Sequence, residues 1–211
     1  MKAANLLISN NGTLKIADFG LARSFDSSVS DNGPCNSGGN IRASGRSRDK
    51  KYTNCVVTRW YRPPELLLGA RHYGGEVDIW GIGCVHILSN WIVFHRILTC
   101  LSSCVLGEMF SRKPILPGTS DLDQLEKIWY LCGSPNQHNW PYFDQLPGCE
   151  GVIRFNNQPR RLKTTYESVG PETVDLLDQL LRINPKERLT AAAALEHDYF
   201  WTDPLPADPK T

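Results

Sequence analysis

An Asn-Gly pair near the start of the chain limits what its first residues can form. The pair lies between two short apolar runs, residues 6–8 and 14–16. Asn-Gly flanked by apolar runs is the strongest short-range signal for a β-hairpin. The chain is therefore predicted to open with a hairpin, which would bring the side chains of Asn5 and Asp18 to the same end.

The stretch after the hairpin has almost no apolar side chains. Residues 24–51 are rich in Ser, Gly, Asn and Arg, and such a segment cannot bury enough surface to offset the entropy of ordering it. We expect a long flexible loop there. Its basic side chains allow two interpretations, a patch for nuclear import or phosphate binding and a solvated loop, and we favour the loop. They are Arg42, Arg46, Arg48, Lys50 and Lys51.

Helical patterns dominate the chain beyond residue 64. One helix is predicted between Ser120 as its N-cap and Gly133 just past its end, with four apolar residues at helical spacing. These are Leu122, Leu125, Trp129 and Cys132. A second amphipathic helix is predicted at 174–181, and Thr190 is placed to cap an alanine-rich run at 191–195. We expect Trp60 and Trp80 in the core, and the proline-containing residues 203–211 as a tail.

Composition excludes several classes of protein. Lys and Arg number 23 against 22 Asp and Glu, a net charge of +1, whereas a dedicated nucleic-acid binder shows a basic excess. The 7 cysteines form no C-x-x-C pair, so we expect reduced, intracellular thiols rather than a zinc site or disulfides. The first residues do not resemble a secretory signal. The apolar run around 91–94 is interrupted by His86, Asn90, His95 and Arg96, so no membrane span is expected.

Three motifs in a fixed order carry the functional information. They are D-F-G-L-A-R from Asp18, V-V-T-R-W-Y-R-P-P-E-L-L-L-G from Val56, and D-I-W-G-I-G-C from Asp78. Together they resemble the protein kinase signature, in which an H-R-D-x-x-x-x-N loop, a D-F-G and an A-P-E follow one another. K-A-A-N-L-L-I, P-I-L-P-G, L-P-G-C-E-G-V and H-D-Y-F-W-T-D-P are similar to cyclin-dependent kinases of the transcription-elongation branch, the fungal Bur kinase and its animal counterparts. The resemblance covers nearly all of the chain except 24–51 and about 86–105.

The resemblance implies an ATP and magnesium site around the hairpin. Asn5 and Asp18 would hold Mg²⁺, because an amide and a carboxylate present the hard oxygen ligands that it prefers. Lys2 would contact the transferred phosphate. Leu7 and Ala17 would line the adenine side of the nucleotide.

The resemblance also assigns residues in the activation segment, 18–65. Thr53 matches the activating phosphorylation site, and Arg23 matches one of the arginines that bind that phosphate. Thr58 matches the threonine that contacts the catalytic loop. The pocket for a proline after the target residue would be formed by Val56, Val57 and Arg62.

Three further matches imply structural roles. Glu65 and Arg188 correspond to a buried ion pair of the family. Asp78 corresponds to a carboxylate that braces the backbone of the catalytic loop. His197, at the end of a helix, is also expected to be structural.

The family pattern is incomplete in this sequence. Counting five residues back from Asn5, the catalytic aspartate would precede Met1. The Gly-rich loop, the β3 lysine and the αC glutamate of the family have no counterpart either. We therefore expect the whole chain, 1–211, to be a carboxyl-lobe fragment with an α+β, mostly α fold and without the amino-terminal lobe. On this view the fragment would be inactive alone, and cyclin contact would be weakened.

An apparent insertion interrupts the third motif. In the family, the D-I-W-G-x-G-C-V segment is followed directly by a G-E-M-F-like segment. Here 86–105 separates Cys84-Val85 from a second Cys-Val pair, after which L-G-E-M-F resumes the pattern. A length of 20 residues corresponds to 60 nucleotides, which keeps the reading frame, and valine codons begin with GT. Both observations favour a retained intron that stays in frame over a functional insertion.

The implied activity is that of an ATP-dependent, proline-directed serine/threonine protein kinase. Its implied substrate is the carboxyl-terminal repeat of RNA polymerase II, its partner a cyclin, and its location the nucleus. No direct contact with nucleic acid or membrane is expected. A non-catalytic lobe that only docks partners is the alternative, and nucleotide binding would distinguish the two.

Overall fold

A computed structural model describes residues 5–9, 14–20, 22, 58–83, 114–149 and 156–202 of the 211-residue chain. The predicted loop at 24–51, the predicted insertion at 86–105 and the predicted tail at 203–211 lie outside these residues. The hairpin is present as predicted. Strand β1, Leu6–Ile8, pairs antiparallel with strand β2, Leu14–Ile16, with Leu7 opposite Lys15.

The remaining described elements are helical. The α-helices are α1 (Pro64–Leu67), α2 (Glu76–Gly83), α3 (Asp121–Cys132), α4 (Leu162–Thr165), α5 (Pro171–Leu180) and α6 (Ala191–Leu195). Short 3-10 turns lie at Arg59–Tyr61, Phe143–Gln145, Pro147–Cys149, Glu167–Val169, Pro185–Glu187 and Asp198–Phe200. The predicted α+β, mostly α class is confirmed.

Helix α3 begins and ends where the sequence predicts. The Ser120 side chain accepts a hydrogen bond from the backbone N–H of Asp123 at 3.1 Å, which satisfies one of the otherwise unpaired amides of the first turn. At the other end Gly133 has a φ of 83°, a conformation that favours glycine. A Cβ at Gly133 would also lie 3.2 Å from the backbone nitrogen of Arg160.

The two later helices also follow the predicted pattern. Helix α5 spans Pro171–Leu180 and buries Val174 and Leu177, while Leu181 lies at its C-cap. Thr190 caps α6, accepting a hydrogen bond from Ala193 N at 3.2 Å. Periodicity and capping residues were sufficient here because both act within one or two turns.

The core lies where α2, α3 and α5 meet the segments around them. Trp80 of α2 is completely buried, as predicted, among fully buried aliphatic side chains. The largest of these are Leu66, Leu68, Leu116, Leu125, Ile128, Leu162, Leu176, Leu177, Leu180 and Leu181. Burial of a leucine side chain contributes about 1.5–3 kcal/mol, so this cluster is the main source of stability in the described part.

Two apolar side chains depart from the predictions. Trp60 was expected in the core, but it is 40% exposed because its indole Nε1 donates to the carbonyl oxygen of Gly118, which fixes the ring at the surface. Leu122, on the predicted apolar face of α3, is 56% exposed. It lies in the first turn of the helix and lines an open cavity together with Ile115 and Trp129. No helix within the described residues is long and apolar enough to cross a membrane.

Candidate active site

The hairpin brings Asn5 and Asp18 together. The backbone N–H of Ala17 donates to the carbonyl oxygen of Asn5 at 2.8 Å, which extends the β1–β2 pairing by one residue. The Asn5 side chain then donates from Nδ2 to Asp18 Oδ2 at 3.3 Å. An amide and a carboxylate that are 13 positions apart in sequence thus share one end of the hairpin.

The backbone at Asp18 turns sharply as it leaves β2. Its φ is 64°, in the left-handed region that few residues other than glycine adopt, although aspartate is among those that tolerate it. Asp18 is exposed, and the next residue, Phe19, is 63% exposed. Strained backbone of this kind occurs at ligand sites, and here it presents the carboxylate beside the amide of Asn5.

The donor set of this pair fits magnesium. Mg²⁺ is bound through one or two protein oxygen ligands together with substrate phosphates, and Asn5 and Asp18 offer an amide oxygen and a carboxylate. The Asn5–Asp18 hydrogen bond uses the amide nitrogen, so the amide oxygen is the atom that would face a cation. Leu7, at 53% exposed, and half-buried Ala17 flank the pair, which is consistent with a flat apolar ligand face beside it.

Several of the predicted site residues lie outside the described part of the chain. They are Lys2, Arg23, Thr53, Val56 and Val57. Their assigned roles in phosphate contact, activation and the proline pocket stay predictions.

The end of the predicted activation segment, 18–65, is described from Thr58 onward. A 3-10 turn at Arg59–Tyr61 begins at Thr58, whose carbonyl oxygen accepts from the backbone N–H of Tyr61 at 2.9 Å. Thr58 is exposed, and Arg62, at 14% side-chain exposure, is largely buried. The turn is followed by Pro63, and Pro64 starts α1 at a position where its missing N–H costs no hydrogen bond.

This turn is fastened to the start of α3 by contacts that the sequence did not reveal. Arg59 Nε lies 2.8 Å from Asp121 Oδ1, and Arg62 Nη1 lies 3.5 Å from Asp121 Oδ2. Arg59 Nη1 also donates to the carbonyl oxygen of Thr119 at 3.0 Å. One carboxylate at the first position of α3 therefore contacts both arginines, Arg59 and Arg62.

A buried glutamine completes the same junction. Gln124 is completely buried, and its Oε1 accepts from Gly118 N at 2.9 Å while its Nε2 donates to the carbonyl oxygen of Trp60 at 3.3 Å. A Cβ at Gly118 would lie 2.3 Å from Gln124 Oε1 and 2.7 Å from Gln124 Cα. The loop can therefore pass this close to α3 only with glycine at 118.

Hydrogen bonds from Thr119 also lower the pKa of Asp123 at this junction. Thr119 donates to Asp123 from both its backbone N–H, at 2.7 Å, and its hydroxyl, at 2.9 Å. These bonds, first the backbone one and then the hydroxyl one, stabilise the carboxylate and lower the pKa of Asp123. The loop before α3 thus stabilises a negative charge in the first turn of the helix, where the helix dipole also favours it.

Glu65 and Arg188 meet in the interior. Arg188 Nη1 lies 2.6 Å from Glu65 Oε1 and Nη2 lies 2.6 Å from Oε2. Their side chains are 0% and 4% exposed. The three other guanidinium N–H groups donate to the carbonyl oxygens of Arg182, Glu76 and Ile183. All five donors of the guanidinium are thereby satisfied, and the group also lies 5.0 Å from the centre of the Trp80 ring.

Asp78 and His197 were also assigned structural roles, and both lie within the described residues. Asp78 is an exposed residue in the first turn of α2, and its assigned partner, the catalytic loop, lies outside the described residues. His197 accepts a hydrogen bond at Nδ1 from Tyr199 N at 3.1 Å, and its Nε2 lies 3.2 Å from Asp175 Oδ2. These contacts cap the last 3-10 turn and connect it to α5.

Comparisons with known proteins agree with this geometry. The protein kinase domain family matches residues 1–95. The chain is 46% identical over 209 residues to a probable cyclin-dependent kinase 9 of Schizosaccharomyces pombe, covering 99% of this chain and 31% of that protein. Over nearly its whole length the chain is therefore similar to a cyclin-dependent protein kinase. The serine/threonine-protein kinase bur1 of Emericella nidulans is also 46% identical over 209 residues, covering 99% of this chain and 33% of that protein.

Solved structures of kinase complexes share the fold. The CAK complex from Chaetomium thermophilum bound to ATP-gamma-S contains a chain that matches all of this one with a TM-score of 0.75 and 37% identity. The yeast RNA Pol II CTD kinase CTDK-1 complex matches 99% of the chain with a TM-score of 0.74 and 31% identity. The chain spans 54% and 57% of those two chains, and about a third of the length of the curated relatives above.

Proposed function

We propose that the chain forms the carboxyl-lobe part of an ATP-dependent, proline-directed serine/threonine protein kinase of the cyclin-dependent type. The observation that carries the proposal is the pairing of Asn5 and Asp18 at one end of the hairpin, 3.3 Å apart. This pair lies in the order that the kinase signature requires, ahead of the segment 58–65. The names of the relatives, which are serine/threonine and cyclin-dependent kinases, support the same activity.

In this proposal the hairpin end binds the nucleotide. Asn5 and Asp18 hold Mg²⁺, which when bound neutralises charge on the phosphates. Leu7 and Ala17 contact the adenine, and Lys2 contacts the transferred phosphate. The base that accepts the proton of the substrate hydroxyl would precede Asn5 by five residues in the family pattern. Phosphoryl transfer depends almost entirely on positioning and charge stabilisation, so we expect it to require an amino-terminal lobe in addition to this chain.

The proposed substrate is a serine or threonine followed by proline. Proline has no backbone N–H, so a pocket without a hydrogen-bond acceptor costs it nothing and leaves the N–H of any other residue unpaired. Val56, Val57 and Arg62 form this pocket in the proposal. Thr58 contacts the catalytic loop beside it.

Activation and partners follow the same family pattern. A phosphate on Thr53 adds about −1.5 to −2 charge, and Arg23 would bind it. A cyclin is the proposed partner, the carboxyl-terminal repeat of RNA polymerase II the proposed substrate, and the nucleus the proposed location. The complex named as an RNA Pol II CTD kinase, to which the chain is similar, favours that substrate.

The test joins to this chain the part of the S. pombe relative that precedes the matched region, so that the amino-terminal lobe and the H-R-D motif of the family pattern are both present. The completed chain, with a cyclin, is assayed on a Ser-Pro repeat peptide with MgATP. We expect phosphate transfer to the peptide, and its loss in Asp18→Asn. Asp144→Asn is the matched control, since Asp144 is an exposed carboxylate far along the chain that accepts a hydrogen bond from Gln137. No phosphate incorporation by the unmodified complex would contradict the proposal.

The docking-module alternative is distinguished by nucleotide binding. A kinase lobe should bind MgATP in the complex with a magnesium dependence that Asp18→Asn abolishes. A lobe that only docks partners would bind peptide or cyclin equally well with and without the nucleotide. Fluorescence titration with a labelled ATP analogue, at several magnesium concentrations, separates these outcomes.

A further inference from the structure

A single carboxylate joins the predicted substrate pocket to α3. Asp121 accepts from Arg62 at 3.5 Å on one oxygen and from Arg59 at 2.8 Å on the other. The two arginines are separated from it by about 60 positions in the sequence. Local pairing rules for helices therefore do not explain the contact, which fixes two distant parts of the fold relative to each other.

Arg59 and Arg62 differ in the exposure of their side chains and therefore in their conformational freedom. The Arg62 side chain is 14% exposed, whereas those of Arg59 and Asp121 are 43% and 51% exposed. A largely buried guanidinium has few rotamers open to it, and a carboxylate at one end selects among them. Arg59 also donates to the carbonyl oxygen of Thr119 at 3.0 Å. The arginine that binds the other oxygen of Asp121 is therefore itself held in place.

The surrounding contacts keep Asp121 itself in place. It occupies the first position of α3, just after the N-cap Ser120, where a negative charge is favoured by the helix dipole. Gln124, one turn later, bonds both to the loop before α3 and to the carbonyl oxygen of Trp60. The start of α3 and the turn at Arg59–Tyr61 thus behave as one bonded unit, with Asp121 as its charged contact to Arg62.

We infer that Asp121 is a positioning residue for the substrate pocket, acting through Arg62 on the choice of proline after the phosphorylated residue. The inference rests on the proposed function, in which Arg62 borders that pocket. Asp121 touches neither substrate nor nucleotide in this assignment. Its effect should therefore appear in the recognition of the residue after the target rather than in the chemistry.

The kinetic test compares Ser-Pro and Ser-Ala peptides with the lobe-completed, cyclin-bound complex. Asp121→Ala should raise KM for the Ser-Pro peptide about two- to fivefold, the range expected for a partly exposed ion pair. The kcat and the KM for ATP should not change, and the preference for Ser-Pro over Ser-Ala should fall by the same factor. Asp121→Glu should recover much of the preference. Glu126→Gln, an exposed carboxylate on the same helix, is the control and should leave both peptides unaffected.

A double-mutant cycle separates positioning from general structural damage. In an Arg62→Ala background, Asp121→Ala should have no further effect on the peptide preference, because the residue through which it acts is gone. If Asp121→Ala lowers kcat for both peptides equally, or has the same effect with and without Arg62, the inference is wrong. It is also wrong if the KM for the Ser-Pro peptide is unchanged.

A second measurement does not depend on kinase activity. In the 211-residue chain, NMR relaxation of the Arg62 Nε–H group should show increased side-chain motion in Asp121→Ala but not in Glu126→Gln. Unchanged Arg62 motion would overturn the inference. If the unmodified complex phosphorylates neither peptide, the proposed function fails, while this measurement still decides whether Asp121 positions Arg62.

Discussion

Breaking the Glu65–Arg188 pair from one side should be among the most destabilising single changes in the chain. Both side chains are almost completely buried, and two 2.6 Å hydrogen bonds connect them. In Glu65→Ala the guanidinium stays in the interior without its counter-charge. Removing one partner of such a pair typically costs about 3–5 kcal/mol.

The expected loss can be measured by urea unfolding of the chain without 86–105 and with an amino-terminal lobe supplied, the form for which a cooperative transition is expected. With a denaturant slope of about 2 kcal/mol per molar urea, a loss of about 3–5 kcal/mol moves the midpoint down by about 1.5–2.5 M. Tryptophan fluorescence is a suitable signal, because one of the 6 tryptophans, Trp80, has its ring 5.0 Å from the guanidinium. Glu65→Gln should cost less than Glu65→Ala, since the amide keeps the shape and one acceptor oxygen.

The exposed pair Lys163–Asp175 provides the matched control. Its nitrogen and oxygen are 3.4 Å apart, and its side chains are 62% and 46% exposed. Lys163→Ala should therefore change the free energy of unfolding by less than about 1 kcal/mol. If Glu65→Ala costs no more than Lys163→Ala, the reasoning from burial is refuted. Replacing both Glu65 and Arg188 by apolar residues should cost less than the sum of the single changes, because no charge is left unpaired.

Three further outcomes are expected. Gly118→Ala should destabilise the chain by about 1–3 kcal/mol in thermal unfolding, because the new Cβ would lie 2.7 Å from a backbone atom of α3, whereas Gly75→Ala, with nothing within 4 Å, should not. Partial burial raises the pKa of Asp175, but hydrogen bonds from a glutamine, a histidine and a lysine outweigh this effect and lower the pKa. Ionised Asp175 therefore stabilises the fold, and Asp175→Asn should remove that stability. The loss should be constant above about pH 5 and vanish as the pH falls below about 4. Deleting 86–105 should raise the soluble yield and give a single cooperative melting transition once an amino-terminal lobe is supplied; equal solubility and melting with the segment present would favour a real inserted element.

Features of the fold that depend only on residues close together in the sequence were predicted correctly. The hairpin, the N-caps at Ser120 and Thr190 and the helix end at Gly133 were all correct, because each is decided within one or two turns of backbone. Exposure was predicted less well. Trp60 carries a large apolar surface, but a hydrogen bond to a distant carbonyl holds its ring at the surface, and no local pattern encodes that bond.

In the candidate site, too, local sequence patterns predicted some contacts and missed others. The hairpin signal was sufficient to place Asn5 beside Asp18. The pairing of Glu65 with Arg188, 123 positions apart, came only from resemblance to a family. Asp121 was missed altogether. An acidic residue after an N-cap is common for reasons of helix charge alone, so nothing in the sequence indicated that two arginines would converge on it.

These contacts show how one short segment is fixed from both sides. At one end of residues 59–65, Arg59 and Arg62 reach an exposed carboxylate on α3, and at the other end Glu65 reaches a buried guanidinium. Salt screens the exposed contact but hardly affects the buried one, and replacement of a residue is costly only at the buried one. The buried pair therefore fixes where the segment lies in the fold, while the exposed contacts hold the part around Arg62. If Arg62 borders the substrate pocket, as proposed, such a segment could vary its recognition of the residue after the target without losing its attachment to the core.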